Sequence, residues 1–208
     1  MTFKIKLSPK TKLELTKENT RGSQYRKSSN TRFANHESND FYATEPKAVE
    51  LLLEKESFTD TVWEPAVGQG HIANVLKRHD YKVISSDLID RGYEETKVLD
   101  IFDFKELNTH DIITNPPYKI ARELIEHLIE HTTKGARIAM FLKLTFLESQ
   151  SRRKFFKKYP PKTIYVASGR LNCAKNGDFE KYRSSAVAYA WFVWEVGYEG
   201  KPSVEWIN

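Results

Sequence analysis

The segment TVWEPAVGQGHIANVL, residues 61–76, indicates the fold class of this chain. Its first three residues are β-branched or aromatic, which predicts a short buried strand. Gly68 and Gly70 allow a tight turn, and the apolar residues after them are spaced as on one face of a helix. A strand that turns at glycines into a helix predicts a parallel sheet flanked by helices.

The same alternation of strands and helices continues on both sides of this stretch. Further strands are predicted over residues 81–85, 97–99, 111–114, 138–142, 163–167 and 186–194. Helices are predicted from Pro46 through Leu53, over the amphipathic segment that carries Ile120, Ala121, Leu124, Ile125, Leu128 and Ile129, and near residues 151–158. We expect a doubly wound α/β fold whose last two strands form an antiparallel hairpin.

Size and composition indicate one soluble globular domain. The chain has 208 residues, of which 39% are hydrophobic and 29% charged. No apolar run approaches the roughly 20 residues of a membrane helix, and the first residues lack the apolar stretch of a secretory signal. The single cysteine, Cys173, cannot form an internal disulfide, so we expect a reducing cytoplasm.

The positive charge is concentrated in the first forty residues. Residues 1–40 hold nine Lys or Arg and four Asp or Glu, which accounts for the whole formal net charge of +5. This segment is poor in apolar residues and predicts a flexible basic arm ahead of a domain spanning residues 41–208. A basic arm beside a neutral body favours a polyanionic partner, although a solubilising tail is the alternative.

The motif Asn115-Pro116-Pro117-Tyr118 follows directly after a predicted strand. It offers a side-chain carbonyl, backbone carbonyls and an aromatic ring at one point. Pro117 lacks a backbone donor and stiffens the turn. These groups suit a planar amine held between the Asn115 oxygen and the Pro116 carbonyl, with Tyr118 stacked on it. Asn-Pro is also an ordinary start of a turn.

Acidic residues follow the predicted strands near the glycines. Glu64 ends the first strand, where a carboxylate repels a pyrophosphate but attracts the ammonium and sulfonium groups of an amino-acid derivative. Asp87 lies 17 residues after Gly70, near the roughly 20 expected of an acid that binds ribose hydroxyls. Asp100 follows the third strand, where it would accept from an adenine amino group or cap a loop.

With these motifs, the chain resembles the amino-methyltransferase branch of the S-adenosylmethionine-dependent methyltransferases, in particular the DNA adenine-N6 methyltransferases. The resemblance covers residues 41 to about 196, and the cofactor motifs precede the catalytic motif as in the family's gamma arrangement. It implies a mostly parallel, seven-stranded class I methyltransferase sheet, Rossmann-like, with a C-terminal antiparallel hairpin. It also implies S-adenosylmethionine as the cofactor.

The resemblance implies a role for each matched residue. Cofactor contacts are implied for Tyr42, Thr44, Glu64, Pro65, Gly68, Gly70, Asp87, Leu88, Asp100, Ile101 and Asn115. Catalysis is implied for Asn115, Pro116, Pro117 and Tyr118, by direct displacement and without a metal. A base in a duplex must be flipped out to reach such a site. Tyr118 and Phe179, or alternatively Tyr182, are implied to pack against that base.

The basic run from Arg152 to Tyr159 has two interpretations. Its cations and aromatic residues interleave as on a nucleic-acid surface, so Arg152, Arg153 and Lys154 are candidate substrate contacts. Equally, its aromatic residues fit the core face of an amphipathic helix. His127 and His131 have a spacing that suits a metal, but a solvated polar face is the favoured interpretation.

The predicted function is methylation of adenine N6 in DNA. The chain has no room for a large target-recognition region, and in this it resembles small phage methyltransferases. We therefore expect a weak or very short sequence specificity, or dependence on a partner protein or a homodimer. The expected location is the cytoplasm of a bacterium or phage-infected host. Three alternatives are an RNA adenine-N6 methyltransferase, a protein glutamine-N5 methyltransferase and a non-catalytic, cofactor-binding restriction decoy.

Overall fold

The computed structural model describes residues 41–104, 110–182 and 186–208. The strands in these ranges are β1 (Tyr42–Thr44), β2 (Thr61–Glu64), β3 (Lys82–Asp87), β4 (Lys97–Val98), β5 (Asp111–Thr114), β6 (Arg137–Lys143), β7 (Thr163–Ala167), β8 (Cys173–Lys175), β9 (Tyr189–Glu195) and β10 (Ser203–Ile207). The helices are α1 (Pro46–Leu53), α2 (His71–Arg78), α3 (Ala121–His131) and α4 (Gln150–Lys158). Short 3-10 turns cover Ile101–Asp103 and Leu144–Leu147. The predicted basic arm, residues 1–40, lies outside the described residues.

Eight strands form the main sheet, in the order β10-β7-β9-β6-β5-β2-β3-β4. All of them run parallel except β9, which is antiparallel to both β6 and β7. The doubly wound α/β fold is therefore confirmed, and so is the antiparallel pairing of β7 with β9. None of the four described helices has the length and apolar composition needed to cross a membrane.

The expected count of seven strands is one too few. Strand β10 pairs in parallel with β7, from Ser203 opposite Thr163 to Ile207 opposite Ala167. Without it, β7 would present an unpaired row of backbone donors and acceptors at the edge of the sheet. Its residues lie after the matched region, which is why the resemblance did not include this strand.

Helices cover both faces of the sheet. Helices α3 and α4 pack on one face, where Leu124, Leu128 and Phe155 join Phe192 and Trp194 in one apolar cluster. Helices α1 and α2 pack on the other face through the residues Val49, Leu52, Ile72, Val75 and Leu76, against Phe141 and Trp191. Trp191 and Trp194 are buried.

The strand order reverses between β2 and β5, which are neighbours in the sheet. In open α/β sheets a ligand binds at such a reversal, beyond the carboxyl ends of the strands. Glu64 and Asp87 are the last residues of β2 and β3, and the motif at residues 115–118 follows β5 directly. The topology therefore brings the predicted cofactor and catalytic residues to one edge.

A separate two-stranded ribbon borders this edge. Strands β1 and β8 pair antiparallel, with Thr44 opposite Cys173 and Tyr42 opposite Lys175. The backbone amide of Asn176 donates to the Phe41 carbonyl at 2.9 Å, which extends the pairing by one step. The ribbon thus joins two segments about 130 residues apart in the chain, and its strands were not predicted.

Candidate active site

The turn between β2 and α2 is held against the end of β3. Gly68 and Gly70 have φ values of 56° and 81°, a region that favours glycine. The Gly68 amide donates to Asp87 Oδ2 at 2.9 Å, and the Ile89 amide donates to Asp87 Oδ1 at 3.1 Å. The Asp87 carboxylate therefore fixes both the glycine turn and the loop after β3.

Aromatic rings approach both glycines closely. A Cβ atom on Gly68 would lie 2.5 Å from the Phe41 ring, and one on Gly70 would lie 2.3 Å from the Tyr93 ring. The Tyr93 hydroxyl accepts a hydrogen bond from Lys77 Nζ at 2.8 Å, which holds the ring in place. Sequence reasoning expected a ligand at the glycines but did not foresee these rings, because the contacts of Phe41 and Tyr93 with the glycines form only on folding.

Replacing Gly70 with alanine is expected to destabilise the protein more than replacing Gly92. Both residues have positive φ, so each variant carries roughly 1–3 kcal/mol of backbone strain. Only Gly70→Ala also forces a Cβ into a ring, since nothing lies within 4 Å of a Cβ on Gly92. Overpacking of that kind adds about 1–3 kcal/mol. Urea unfolding measures both, and equal losses would contradict the close contact with Tyr93.

Glu64 is buried at the carboxyl end of β2 with an unused acceptor. Its side chain is 1% exposed, and Oε2 has no hydrogen-bond partner among the described residues. Burial raises the pKa of this carboxyl well above its usual value. The backbone amide of Ala73 lowers the pKa, the charge of Asp87 raises it, and Lys77 lowers it. A buried acceptor of this kind is costly unless a ligand supplies a donor.

Asp100 caps the first 3-10 turn. Its Oδ1 accepts from the Phe102 amide at 3.1 Å, which fits the loop-capping alternative considered for this residue. The Leu99 amide donates to the Asp87 carbonyl at 2.8 Å and brings Asp100 toward the end of β3. Ile101 packs on the core, whereas Leu88 is exposed and Pro65 is buried.

Asn115 is fixed by the two-stranded ribbon. Its Nδ2 donates to the Thr44 hydroxyl at 2.9 Å and to the Tyr42 carbonyl at 3.1 Å. Both amide hydrogens are thereby used, so the Oδ1 atom is left to accept. The Pro117 carbonyl accepts from the Ile120 amide at 3.1 Å, whereas no backbone amide of the described residues donates to the Pro116 carbonyl. The motif therefore has two candidate acceptors, Asn115 Oδ1 and the Pro116 carbonyl.

Tyr118, the last residue of the motif, packs against the hydrophobic core. Its hydroxyl contacts Cys173 Sγ at 3.6 Å, and its ring centre is 6.3 Å from that of Tyr189. Burial raises the pKa of the Tyr118 hydroxyl, so this group stays protonated. Lys143 Nζ lies 5.2 Å from the ring centre, within the range of a cation–π contact. Cys173, Tyr189 and Lys143 reach the site only through the pairing of distant strands, so spacing did not reveal them.

The loop after β8 packs against the glycine turn. The rings of Phe179 and His71 are 5.5 Å apart, and a Cβ on Gly177 would lie 2.5 Å from Gln69 Oε1. Phe179 therefore contacts the first residue of α2. Tyr182, the alternative, ends the described part of this loop, where its amide donates to the Asp178 carbonyl at 3.1 Å.

Helix α4 combines a core face with an exposed basic face. Phe155 is buried and Phe156 partly buried against Phe146, so the core interpretation of these aromatic residues is confirmed. Arg152 donates to the Thr145 carbonyl at 2.9 Å and stacks on Phe146. Arg153 and Lys154 are exposed in the first half of the helix. Of the three candidate substrate contacts, Arg152 is therefore held against the protein, whereas Arg153 and Lys154 are exposed to solvent.

The histidine pair on α3 belongs to the packing of that helix. His131 Nδ1 bonds to the His127 carbonyl at 2.8 Å, and the two rings lie 4.3 Å apart. The His127 ring also packs on Phe102. Both side chains are half-buried, so this face is less exposed to solvent than the sequence indicated. Within residues 41–104, 110–182 and 186–208, no group of three or more possible metal ligands comes together.

Solved structures share this architecture. A S-adenosylmethionine-dependent O-methyltransferase from Thermotoga maritima aligns with a TM-score of 0.51 and 20% identity, covering 82% of this chain and 71% of that one. A protein from Listeria monocytogenes, provisionally described as a class I S-adenosylmethionine-dependent methyltransferase, aligns with a TM-score of 0.51 and 14% identity, covering 89% and 70%. The fold is that of class I methyltransferases.

A third similar structure has a different described substrate. It comes from Pyrococcus horikoshii, is provisionally described as an RNA methyltransferase, and aligns with a TM-score of 0.50 and 12% identity over 72% of this chain and 79% of that one. No protein-family model matches the sequence, and no curated protein is significantly similar to it. The cofactor expected from the sequence is the one named for the Thermotoga and Listeria proteins.

Proposed function

We propose that this protein transfers a methyl group from S-adenosylmethionine to the exocyclic N6 amine of adenine in DNA. The observation that carries the proposal is the orientation of Asn115. Both of its amide hydrogens donate to the ribbon, so Oδ1 is the atom that a substrate meets. An oxygen acceptor in that position suits an amine, which brings hydrogens, rather than a group that can only accept.

The reaction follows from the two acceptors. Oδ1 of Asn115 and the Pro116 carbonyl each accept one hydrogen of the amine, which favours the pyramidal nitrogen whose lone pair is free of the ring. That lone pair forms the new N–C bond while the S–CH₃ bond breaks, and the excess proton then leaves to water. S-adenosylmethionine supplies the activated methyl group. Positioning contributes most of the acceleration, and Tyr118 stacks on the base.

The residues of the glycine turn fit the cofactor. The unpartnered, buried Glu64 Oε2 would accept from the ammonium group of the methionine part. Asp87 lies at the end of β3, beside the turn, where an acid accepts from ribose hydroxyls. The cofactor site is proposed to be completed by Tyr42, Pro65, Gly68, Gly70, Leu88, Asp100 and Ile101.

A nucleic-acid substrate is supported by charge. The formal excess of +5 lies in residues 1–40, and Arg153 and Lys154 add exposed cations on α4. This helix begins on the side of the sheet where β6 ends, so its first half lies toward the proposed site. Lys143 adds a further cation beside Tyr118.

Reversing the charges of Arg153 and Lys154 is expected to weaken DNA binding. If each contacts one phosphate, the slope of log affinity against log salt falls by about two. The control is Lys157→Glu with Lys158→Glu, which makes the same charge change in the last turn of α4. Titration of labelled duplex DNA over a salt series measures both variants. Equal effects at the two ends of α4 would contradict local contacts at residues 153 and 154.

Methyl transfer to four acceptors tests the proposed function. Tritiated S-adenosylmethionine is incubated with the protein and duplex DNA, single-stranded DNA, RNA or a glutamine-containing peptide. Label in DNA, recovered as N6-methyladenine by mass analysis, is the expected result. Label only in RNA would instead support an RNA adenine-N6 methyltransferase, and label only in peptide would support a protein glutamine-N5 methyltransferase. Cofactor binding without any transfer would support the decoy instead.

A further inference from the structure

We infer that Thr44 is a positioning residue that, together with the Tyr42 carbonyl, holds the Asn115 amide with Oδ1 toward the substrate. The inference rests on the proposed function for its consequence in the reaction, but its geometry stands independently. Thr44 was expected to contact the cofactor. The structure assigns its hydroxyl to Asn115 instead.

The orientation of the Asn115 side chain follows from the partners of its two amide hydrogens. A primary amide has two N–H donors and one carbonyl acceptor. The Asn115 donors are both used, one by the Thr44 hydroxyl at 2.9 Å and the other by the Tyr42 carbonyl at 3.1 Å. A rotation of the amide by half a turn would place Oδ1 against the Tyr42 carbonyl, an acceptor facing an acceptor. A hydroxyl can donate as well as accept, so the Tyr42 carbonyl selects the observed orientation and the Thr44 hydroxyl adds a second hydrogen bond that holds the amide in it.

Thr44 is held firmly enough to perform this role. Its side chain is 2% exposed, and its backbone pairs with Cys173 across the ribbon. The next residue is tied as well, since the Glu45 amide donates to the Asn172 carbonyl at 3.1 Å. Cys173 Sγ lies 3.7 Å from Asn115 Nδ2, but a sulfur atom is a weak acceptor and does not replace the hydroxyl.

The orientation matters because the two ends of the amide have opposite effects on an amine. With Oδ1 toward the site, the amide accepts a hydrogen of the amine and draws its lone pair out of conjugation. With Nδ2 toward the site, two donors would face each other and the amine would not be held. Thr44 thus affects the rate of transfer without touching the reacting atoms.

Three proteins test the inference: the natural chain, Thr44→Ser and Thr44→Val. Serine keeps the hydroxyl, whereas valine keeps the branched shape but removes it. The first readout needs no activity: hydrogen exchange of the Asn115 side-chain amide by nitrogen-15 NMR, its signals assigned by their loss in Asn115→Asp. Exchange is expected to be slow in the natural chain and in Thr44→Ser, and at least about tenfold faster in Thr44→Val, the loss of roughly one hydrogen bond.

The second readout distinguishes an effect on the reaction at Asn115 from an effect on cofactor binding. Thr44→Val is expected to lower kcat about tenfold, with serine restoring it, while the Kd for S-adenosylmethionine measured by calorimetry stays unchanged. Unchanged amide exchange in Thr44→Val would overturn the inference. Weakened cofactor binding with unchanged exchange would overturn it too, since the hydroxyl would then serve the cofactor. If the natural chain labels no acceptor, the proposed function fails, and amide exchange alone still decides the role of Thr44.

Discussion

Asn115→Ala is expected to lower methyl transfer to DNA by about 10³-fold while leaving the Kd for S-adenosylmethionine within a few-fold of the parent value. Removing one preorganised hydrogen-bonding group from an active site typically costs about 10²–10³ in kcat. The loss is placed at the upper end because Oδ1 is one of only two proposed acceptors for the amine. Single-turnover transfer of tritiated methyl measures the rate, and calorimetry measures cofactor affinity.

Asn115→Asp is the informative companion variant. A carboxylate keeps an oxygen in the site but loses both donors to Thr44 and Tyr42, so we expect a rate between those of the parent and Asn115→Ala. Circular dichroism and urea unfolding show whether each variant is folded. A folded Asn115→Ala variant that retains the parent rate would show that Asn115 takes no part in the reaction. It would also remove the proposed amine mechanism.

Glu64→Gln is expected to weaken cofactor binding by about 10- to 100-fold. The substitution keeps the shape and one acceptor oxygen but removes the charge that would pair with the ammonium group. A hydrogen bond to a charged group contributes about 1.5–3 kcal/mol, which corresponds to this range. Calorimetric titration with S-adenosylmethionine measures it. Unchanged affinity would show that the unpartnered Oε2 does not face the cofactor.

The same variant should stabilise the cofactor-free protein at higher pH. Burial holds the folded pKa of Glu64 above its usual 4.5, so between these two values the folded protein binds more protons than the unfolded chain. The contribution of Glu64 to the free energy of unfolding therefore falls as pH rises through this window. Glutamine does not titrate, so its stability advantage should grow across the window and then level off. Urea unfolding at a series of pH values measures it, and a constant difference would contradict a raised pKa.

Much of the sheet could be predicted because its strands are short apolar runs bounded by turns. Strands β2, β5 and β6 each bury nearly all of their residues and were found in sequence. Strand β10 was not, since Val204 and Trp206 are exposed and its pattern indicates no buried face. The ribbon was missed for another reason: its strands have three residues each, too few to show a period.

The site shows the same division. The Asn115 motif and the glycine turn could be read because each is a local sequence with its own chemistry. The orphaned oxygen of Glu64 could not, since it depends on which groups fail to reach it after folding. Nor could the contact between Tyr93 and Gly70, or the cation of Lys143 beside Tyr118.

Short-range patterns were enough to predict the class of fold, the edge of the sheet that carries the candidate site and the motif residues, because strand periodicity and turn chemistry act over a few neighbouring residues. The orientation of the Asn115 amide, in contrast, depends on long-range contacts, since the groups that fix it come from a strand some seventy residues earlier in the chain. Such a contact costs loop-closure entropy and is held by packing across the whole domain. The residues that neighbour Asn115 in the sequence therefore do not predict this contact.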